Sequence, residues 1–276
     1  MYFSAARTEA FVRELLGLMF ADPAHESSLP LLDSVDVFII PDHVTVAGVV
    51  AQVAHHHHHH QILVGAQDCH NEDAGAFTGA VSPAVLAEVG CRLVELGHAE
   101  RRRLFGETDA STAAKAAAVV RNAMVPLVCV GEVTPPPPTS SSRQERDDDD
   151  DDDDDGNDDE PHVVAAADEV LVQVRSALAA VPADADVVLA YEPVWAIGAS
   201  APAAVDHVRA VVRRVRASDA VRARAPGRTR IVYGGSAGPG LFARLAPEVD
   251  GLFLGRFAHD PAQFFRTVCE VAQAPW

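Results

Sequence analysis

The sequence predicts an α/β fold, a (β/α)8 barrel, because short apolar runs alternate with segments of helical periodicity along most of the chain. Continuous apolar strands between helices are typical of a parallel sheet covered by helices. The length of 276 residues and the 48% hydrophobic content suit a single domain over residues 1–276. The strand-like runs are residues 35–40, 62–64, 92–96, 127–130, 187–190, 230–233 and 251–254.

The helical segments number one more than the strands. They are residues 6–19, 44–54, 83–89, 110–124, 163–181, 203–217, 240–245 and 262–272. A (β/α)8 barrel places one strand before each helix, and the helix at 6–19 has only five residues before it. We therefore expect the first β-strand to be missing from this chain, as in a truncated or altered start.

Two low-complexity stretches interrupt the pattern. Residues 133–160 hold four consecutive prolines and nine consecutive aspartates, so this acidic insert is predicted to be disordered. A solvated loop expansion is one interpretation of it, and a partner-binding or cation-attracting tail is the other. The six histidines at 55–60 are interpreted as a surface turn or tag, because a single run lacks the fixed geometry of a metal site.

Charge and composition exclude several functional classes. The formal net charge is -18, of which the acidic insert supplies most, so nothing indicates a nucleic-acid partner. No run approaches about 18 consecutive apolar residues, which argues against a membrane span. The start has no basic segment leading into an apolar one, so we expect a cytoplasmic protein. Four scattered cysteines without paired spacing indicate buried thiols rather than a metal site.

Two turns near the end of the chain are candidates for anion binding. Gly234, Gly235 and Ser236 follow the strand at 230–233, and Gly255 follows the strand at 251–254. Glycines let backbone N–H groups approach an oxyanion closely, and the last two loops of such barrels frequently hold a phosphate. A plain turn is the alternative interpretation for each.

A histidine and a carboxylate are predicted at the same rim. His98 follows the strand at 92–96, and Glu192 ends the strand at 187–190 just before a proline. A carboxylate that an apolar strand carries to a rim is costly unless it is paired or used in chemistry. The apolar loop that follows, from Pro193 to about Ser200, is interpreted as a lid that excludes water.

These residues lie in motifs that resemble the triosephosphate isomerase family, whose fold is the TIM barrel. The motifs are Val-Gly-Ala-Gln at 64–67, Gly-Ala-Phe-Thr-Gly at 75–79, Gly-His-Ala-Glu-Arg-Arg at 97–102, Phe-Gly-Glu at 105–107, Cys-Val-Gly-Glu at 129–132, Tyr-Glu-Pro-Val-Trp-Ala-Ile-Gly at 191–198 and Tyr-Gly-Gly-Ser at 233–236. They occur in the family's order and span nearly the whole chain outside the acidic insert.

The resemblance implies an isomerase that interconverts dihydroxyacetone phosphate and glyceraldehyde 3-phosphate through an enediolate. Glu192 is implied as the base, and His98 as the neutral imidazole that polarises the carbonyl, a pairing that comes with the family and not from the residues alone. Glu100 is implied to orient its neighbours. The implied substrate-binding residues are Gly198, Gly234, Gly235, Ser236 and Gly255. The resemblance implies no cofactor and no metal.

The chain also departs from the family pattern. The family has an Asn-x-Lys segment in its first strand, and Met1 aligns just after that lysine, so we expect severely reduced activity. Ala99 replaces a serine, and Ala199 and Ser200 replace the last residues of the lid. Arg256 stands where the family has a glycine, and it either adds a cation to the phosphate site or points outward. These departures leave open a tetrulose phosphate as substrate, or an impaired barrel that serves as a scaffold.

A homodimer is the last expectation. The loop from Gln67 to Thr78 is similar to the family's third loop, whose tip inserts into the neighbouring subunit, with Thr78 nearest the partner's histidine. Phe77 at its tip would leave an unexplained exposed apolar side chain on a monomer. The expected partners are therefore a phosphorylated sugar and a second copy of the chain.

Overall fold

The computed structural model describes residues 2–20, 34–55, 62–137, 158–199 and 202–274. Within them, seven strands form one parallel sheet in the order of the sequence. The strands are β1 (Val37–Ile39), β2 (Ile62–Ala66), β3 (Leu93–Leu96), β4 (Val125–Val130), β5 (Val187–Tyr191), β6 (Thr229–Tyr233) and β7 (Gly251–Leu252). This curled sheet confirms the predicted α/β barrel with one strand fewer than eight.

Helices connect the strands and cover the sheet. They are α1 (Ala5–Phe20), α2 (Val46–Ala54), α3 (Pro83–Glu88), α4 (Ala99–Phe105), α5 (Asp109–Arg121), α6 (Pro161–Ala179), α7 (Val205–Ala217), α8 (Asp219–Arg222), α9 (Phe242–Leu245) and α10 (Pro261–Gln273). In the part of the chain that the structure describes, no helix is both long and apolar enough to cross a membrane.

Sequence analysis did not predict α4 and α8. Neither helix has a buried residue, so neither carries the apolar stripe by which periodicity is recognised. The other eight helices match the predicted segments, and several begin at local signals. Thr108 and Ser111 form a reciprocal capping box at α5, and the Ser82 side chain caps α3.

The apolar strands are buried on both faces. In β4, Val128 and Val130 pack against the helices, whereas Leu127 and Cys129 face the barrel interior. This alternation places hydrophobic residues at every position, as expected for a parallel sheet inside a layer of helices. All four cysteines are free, and burial raises the pKa of the Cys91 thiol to about 11.

The first and last strands are not hydrogen-bonded to each other in the described chain, so the sheet is open along one seam. Two contacts cross this seam. The rings of Phe38 and Phe253 stack with centroids 6.3 Å apart, and Arg230 pairs with Asp36 at 2.9 Å. Helices α1 and α10 also pack together outside it, through residues such as Val12 and Phe265.

The structure describes the last three residues of the acidic insert. Residues 138–157 lie outside the described residues, but Asp158 accepts hydrogen bonds from Arg213 at 2.8 and 3.0 Å. Asp159 pairs with Arg214 at 3.2 Å, and Glu160 begins α6 as its N-cap residue. These contacts join the end of the acidic insert to α7 and to the start of α6, and the disorder of the insert stays a prediction. The histidines at 56–60 also lie outside the described residues.

A buried ion network fixes the loop after β3 to the loop after β2. Lys115 on α5 pairs with Asp68 at 2.7 Å and with Glu107, and Arg101 contacts the same two acids at 2.7 and 2.6 Å. Lys115 is the only lysine in the sequence. Removing one partner of such a pair would leave a buried charge without a counter-charge, which is costly. Because Arg101 lies on α4, the network holds the base of α4 and thereby the position of His98.

We predict that Lys115→Met lowers the free energy of unfolding by about 3–5 kcal/mol, because Asp68 and Glu107 lose their shared cation in a buried setting. Urea denaturation measures this loss. Arg121→Met is the matched control on the same helix, since Arg121 pairs with Asp73 where both side chains are more than a third exposed, and about 1 kcal/mol or less is expected. Equal losses for the two variants would contradict the assignment.

Candidate active site

The structure brings His98 and Glu192 together at the carboxyl ends of β3 and β5. Nε2 of His98 lies 3.4 Å from Oε2 of Glu192, and the two side chains are only 19% and 11% exposed. Both line a cavity of about 1560 Å³ that opens at this rim and continues down the barrel interior. A small molecule in this cavity can therefore touch an imidazole and a carboxylate at once.

His98 is held by the helix that sequence analysis missed. It is the N-cap residue of α4, and its Nδ1 accepts the backbone N–H of Glu100 at 3.2 Å. An accepting Nδ1 carries no proton, so in the neutral imidazole the proton is on Nε2 and points at Glu192. The predicted role of Glu100 concerns its carboxylate, and the structure shows this side chain to be exposed.

Opposing influences act on the protonation of His98. Burial lowers its pKa, but the hydrogen bond to Glu192 and the charges of Glu95, Glu192 and Glu100 raise it, and together they bring it to about 9. The N–H group that Glu100 donates to Nδ1 works against these acids, because a protonated Nδ1 would lose that bond. The neutral form implied by the resemblance therefore depends on how much negative charge the neighbouring carboxylates carry.

Two glycines make room for Glu192. The N–H of Glu192 donates to the carbonyl of Val130 at 2.8 Å, which continues the pairing of β5 with β4. A Cβ atom on Gly131 would overlap the carbonyl oxygen of Glu192, and one on Gly234 would lie 3.2 Å from its Cβ. Larger residues at either position would displace the carboxylate from His98.

A candidate anion site, formed by the loops after β6 and β7, lies beside this pair. Gly235, Ser236 and Gly255 line the cavity, and in the described structure their backbone N–H groups donate to no protein acceptor. Neighbouring free N–H groups of this kind suit a phosphate. Gly234 differs from them, because its N–H donates to the carbonyl of Tyr191 at 2.8 Å, so its place among the substrate-binding residues stays a prediction. Gly234 provides space for Glu192.

The loop after Glu192 folds over the anion site. It starts with a 3-10 turn at Val194–Ala196, and the hydroxyl of Ser236 donates to the carbonyl of Ala199 at 2.6 Å. Arg256 donates to the carbonyl of Gly198 at 3.2 Å, so this arginine turns back toward the loop and the cavity and not away from them. Ser200 lies outside the described residues.

Comparison with known proteins identifies the family. The family model described as triosephosphate isomerase matches residues 1–144 and 157–272. The chain belongs to the triosephosphate isomerase family. It is 40% identical over 267 residues to L-erythrulose-1-phosphate isomerase of Pectobacterium atrosepticum, covering 96% of this chain and 90% of that protein. It is 34% identical over 274 residues to triosephosphate isomerase of Chloroflexus aurantiacus, covering 97% of this chain and 94% of that protein.

A further relative has the same name as the first. L-erythrulose-1-phosphate isomerase of Mesorhizobium japonicum is 38% identical over 236 residues, covering 82% of this chain and 80% of that protein. These relatives match the chain over most of its length, and they are named after two different substrates.

Sequence analysis missed the residue that anchors the base of the lid. Glu132 is fully buried and accepts hydrogen bonds from Trp195 at 3.0 Å, His207 at 3.0 Å and Tyr191 at 3.3 Å. The family motif at 129–132 contains this glutamate, so the signal was present, but its partners are up to 75 residues away in sequence. A fully buried carboxylate needs such donors.

The residues expected at a dimer interface follow β2. Gln67 donates to the carbonyl of Ile40 at 3.3 Å, which fixes the base of the loop. Phe77 is 44% exposed, Thr78 is also exposed, and the ring of His70 lies 4.3 Å from that of Phe77. The loop tip thus faces outward in a single chain.

We predict that Glu192→Gln lowers the pKa of His98, because the variant removes both a hydrogen bond and a charge that raise it. NMR titration of the imidazole measures the shift. A histidine whose folded pKa is raised contributes stability that is complete below its unfolded pKa and is lost as the pH rises toward about 9. The alkaline loss of stability should therefore be smaller in the variant and should be complete at a lower pH. Glu88→Gln, on the exposed side of α3, is the control, and an unchanged titration in Glu192→Gln would contradict the assignment.

Proposed function

We propose that this protein is an isomerase of a four-carbon ketose phosphate, L-erythrulose 1-phosphate, which it converts by proton transfer. The observation that carries the proposal is the 3.4 Å approach of His98 and Glu192 beside the free N–H groups after β6 and β7. The named substrate rests on the two relatives above that bear it, at 40% and 38% identity. They favour the tetrulose alternative over the triose phosphates that sequence analysis placed first.

The chemistry of the substrate defines the reaction. L-erythrulose 1-phosphate has a ketone at C2 and hydroxyl groups at C3 and C4. Of the two carbons beside the ketone, C3 carries both a hydrogen and a free hydroxyl group, whereas the oxygen on C1 is esterified to phosphate. The carbonyl can therefore move only to C3, and the product is an erythrulose 4-phosphate.

Glu192 and His98 then share the proton transfer. Glu192 takes the proton from C3, and the N–H at Nε2 of His98 stabilises the oxygen of the resulting enediolate. Once protonated, Glu192 no longer raises the pKa of His98, which favours the neutral imidazole. Glu192 returns the proton to C2 while the hydroxyl proton passes from the oxygen on C3 to the oxygen on C2, so the carboxylate is regenerated, the carbonyl is left at C3 and no electrons leave the substrate.

The phosphate site and the lid protect the intermediate. The free N–H groups of Gly235, Ser236 and Gly255 would hold the phosphate, and Arg256 places a cation next to them. The contacts from Ser236 and Arg256 to the carbonyls of Ala199 and Gly198 keep the loop over the cavity. An enediolate that is shielded from water keeps its phosphate long enough to be reprotonated.

Triose phosphates are the second candidate substrates, because the relative from Chloroflexus aurantiacus is named triosephosphate isomerase. The same pair of residues would act on them in the same way. The scaffold interpretation is the weaker alternative, since a protein without catalysis has no need to keep Glu192 against His98 in a cavity.

We predict that kcat/KM for L-erythrulose 1-phosphate exceeds that for dihydroxyacetone phosphate by at least about tenfold. Glu192→Gln should lower kcat by about 10²–10⁴-fold, because the base is lost. Coupled assays of both substrates measure this, with the exposed Glu88→Gln as control. A preference for the triose would shift the proposal to the second candidate, and full activity in Glu192→Gln would refute both.

We also infer a homodimer that forms through the loop after β2. The exposed side chains of Val44, Phe77 and Phe105 follow β1, β2 and β3, at 88%, 44% and 68% exposure, on one end of the barrel. Successive loops at the same end lie side by side, so these apolar groups support a shared interface in a C2 dimer.

We predict that Phe77→Glu converts the dimer to a monomer, because a charge would be buried against the partner. Analytical ultracentrifugation measures the mass. Val172→Glu is the matched control, since Val172 is a similarly exposed apolar side chain, at 58%, on α6. A wild-type monomer, or a dimer that survives Phe77→Glu, would contradict the inference.

A further inference from the structure

Glu95 is an acidic residue in the barrel interior that the proposed mechanism does not use. It lies in β3, where Leu93 faces the interior while Val94 and Leu96 face the helices, so the alternation turns Glu95 inward. Its register partner in β4 is Leu127, which also belongs to the interior cluster.

The carboxylate of Glu95 lines the same cavity as His98 and Glu192. Within the described chain it has no hydrogen-bond donor and no ion-pair partner, although the structure supplies such partners to Asp68, Glu107 and Glu132. Burial raises its pKa to about 7, while His98 lowers it and Glu192 raises it, so Glu95 is near enough to feel both charges. An interior carboxyl group without a partner is costly unless a ligand satisfies it.

The position of Glu95 matches one end of the proposed substrate. The phosphate site follows β6 and β7, whereas Glu95 lies on β3 and His98 just after it, and β3 is three and four strands away around the barrel. A substrate held by its phosphate at β6 and β7 therefore extends toward β3. Glu95 lies below His98 on that strand, deeper in the cavity.

The tetrulose phosphate differs from the triose phosphate at just this end. L-erythrulose 1-phosphate is dihydroxyacetone phosphate with one more hydroxymethyl group, attached to the carbon that loses its proton. With that carbon at Glu192 and the phosphate at Gly235 and Ser236, the added group lies on the side away from the phosphate. It thus points to the interior wall that carries Glu95.

We propose that Glu95 is a specificity-determining residue, whose carboxyl group hydrogen-bonds the terminal hydroxyl of the tetrulose phosphate. This inference rests on the proposed function and deepens it. Either protonation state of the carboxyl group can pair with a hydroxyl, because a hydroxyl both donates and accepts. With a triose phosphate bound, Glu95 has no such partner, so the site favours the longer substrate.

The test compares two substrates across matched variants of the full chain. Affinities from calorimetry and kcat/KM from assays are measured for L-erythrulose 1-phosphate and dihydroxyacetone phosphate, in wild type, Glu95→Val, Glu95→Gln and the surface control Glu88→Gln. Glu95→Val should lower the ratio of tetrulose to triose affinity, and the corresponding ratio of kcat/KM, by about 10–100-fold; the ratio cancels the effect of Glu95 on the pKa of His98, which both substrates share. Glu95→Gln keeps the shape and some hydrogen bonding, so its loss should be smaller.

The outcomes separate this inference from the proposed function. If wild type prefers the triose phosphate, the proposed substrate fails and the role of Glu95 fails with it. If wild type prefers the tetrulose phosphate but Glu95→Val weakens both substrates equally, the function stands and the inference is overturned. Calorimetry reports on binding even where turnover is slow, and thermal unfolding shows whether each variant is folded.

Discussion

The contact between His98 and Glu192 depends on one constraint, which is that parallel strands bring all their carboxyl ends to the same rim. The two residues are 94 positions apart in the sequence, yet β3 and β5 are separated by β4 alone, and the side chains meet at 3.4 Å. The anion site after β6 and β7 shares this rim for the same reason. The chemistry of the site therefore follows from strand order and direction.

Small residues and buried charges fix the positions of the side chains at this rim. Gly131 and Gly234 flank Glu192, where a side chain at either position would crowd it. On the opposite side, Lys115 neutralises two acids beneath the loop that leads into α4. The site thus depends on groups that never touch a substrate, in the way that supporting contacts orient reactive groups in other enzymes.

The lid is coupled to the barrel through Glu132. This carboxylate accepts hydrogen bonds from Trp195 at the start of the lid, His207 on α7 and Tyr191 on β5. Beyond it, the carbonyls of Gly198 and Ala199 are bound by Arg256 and Ser236. The loop is therefore held near both of its ends by groups from separate parts of the barrel.

The sequence by itself determined the strand pattern, the family and the types of residue at the rim, because periodic burial and short motifs are local properties of a chain. Periodicity does not predict helix α4, because the helix has no buried side chain and therefore no apolar stripe. Only the tertiary structure decided that Arg256 turns toward Gly198, that Gly234 lies against Glu192, and that Glu95 faces the cavity. Each of these three orientations depends on how distant strands meet when the sheet curls, and no local sequence pattern specifies that geometry.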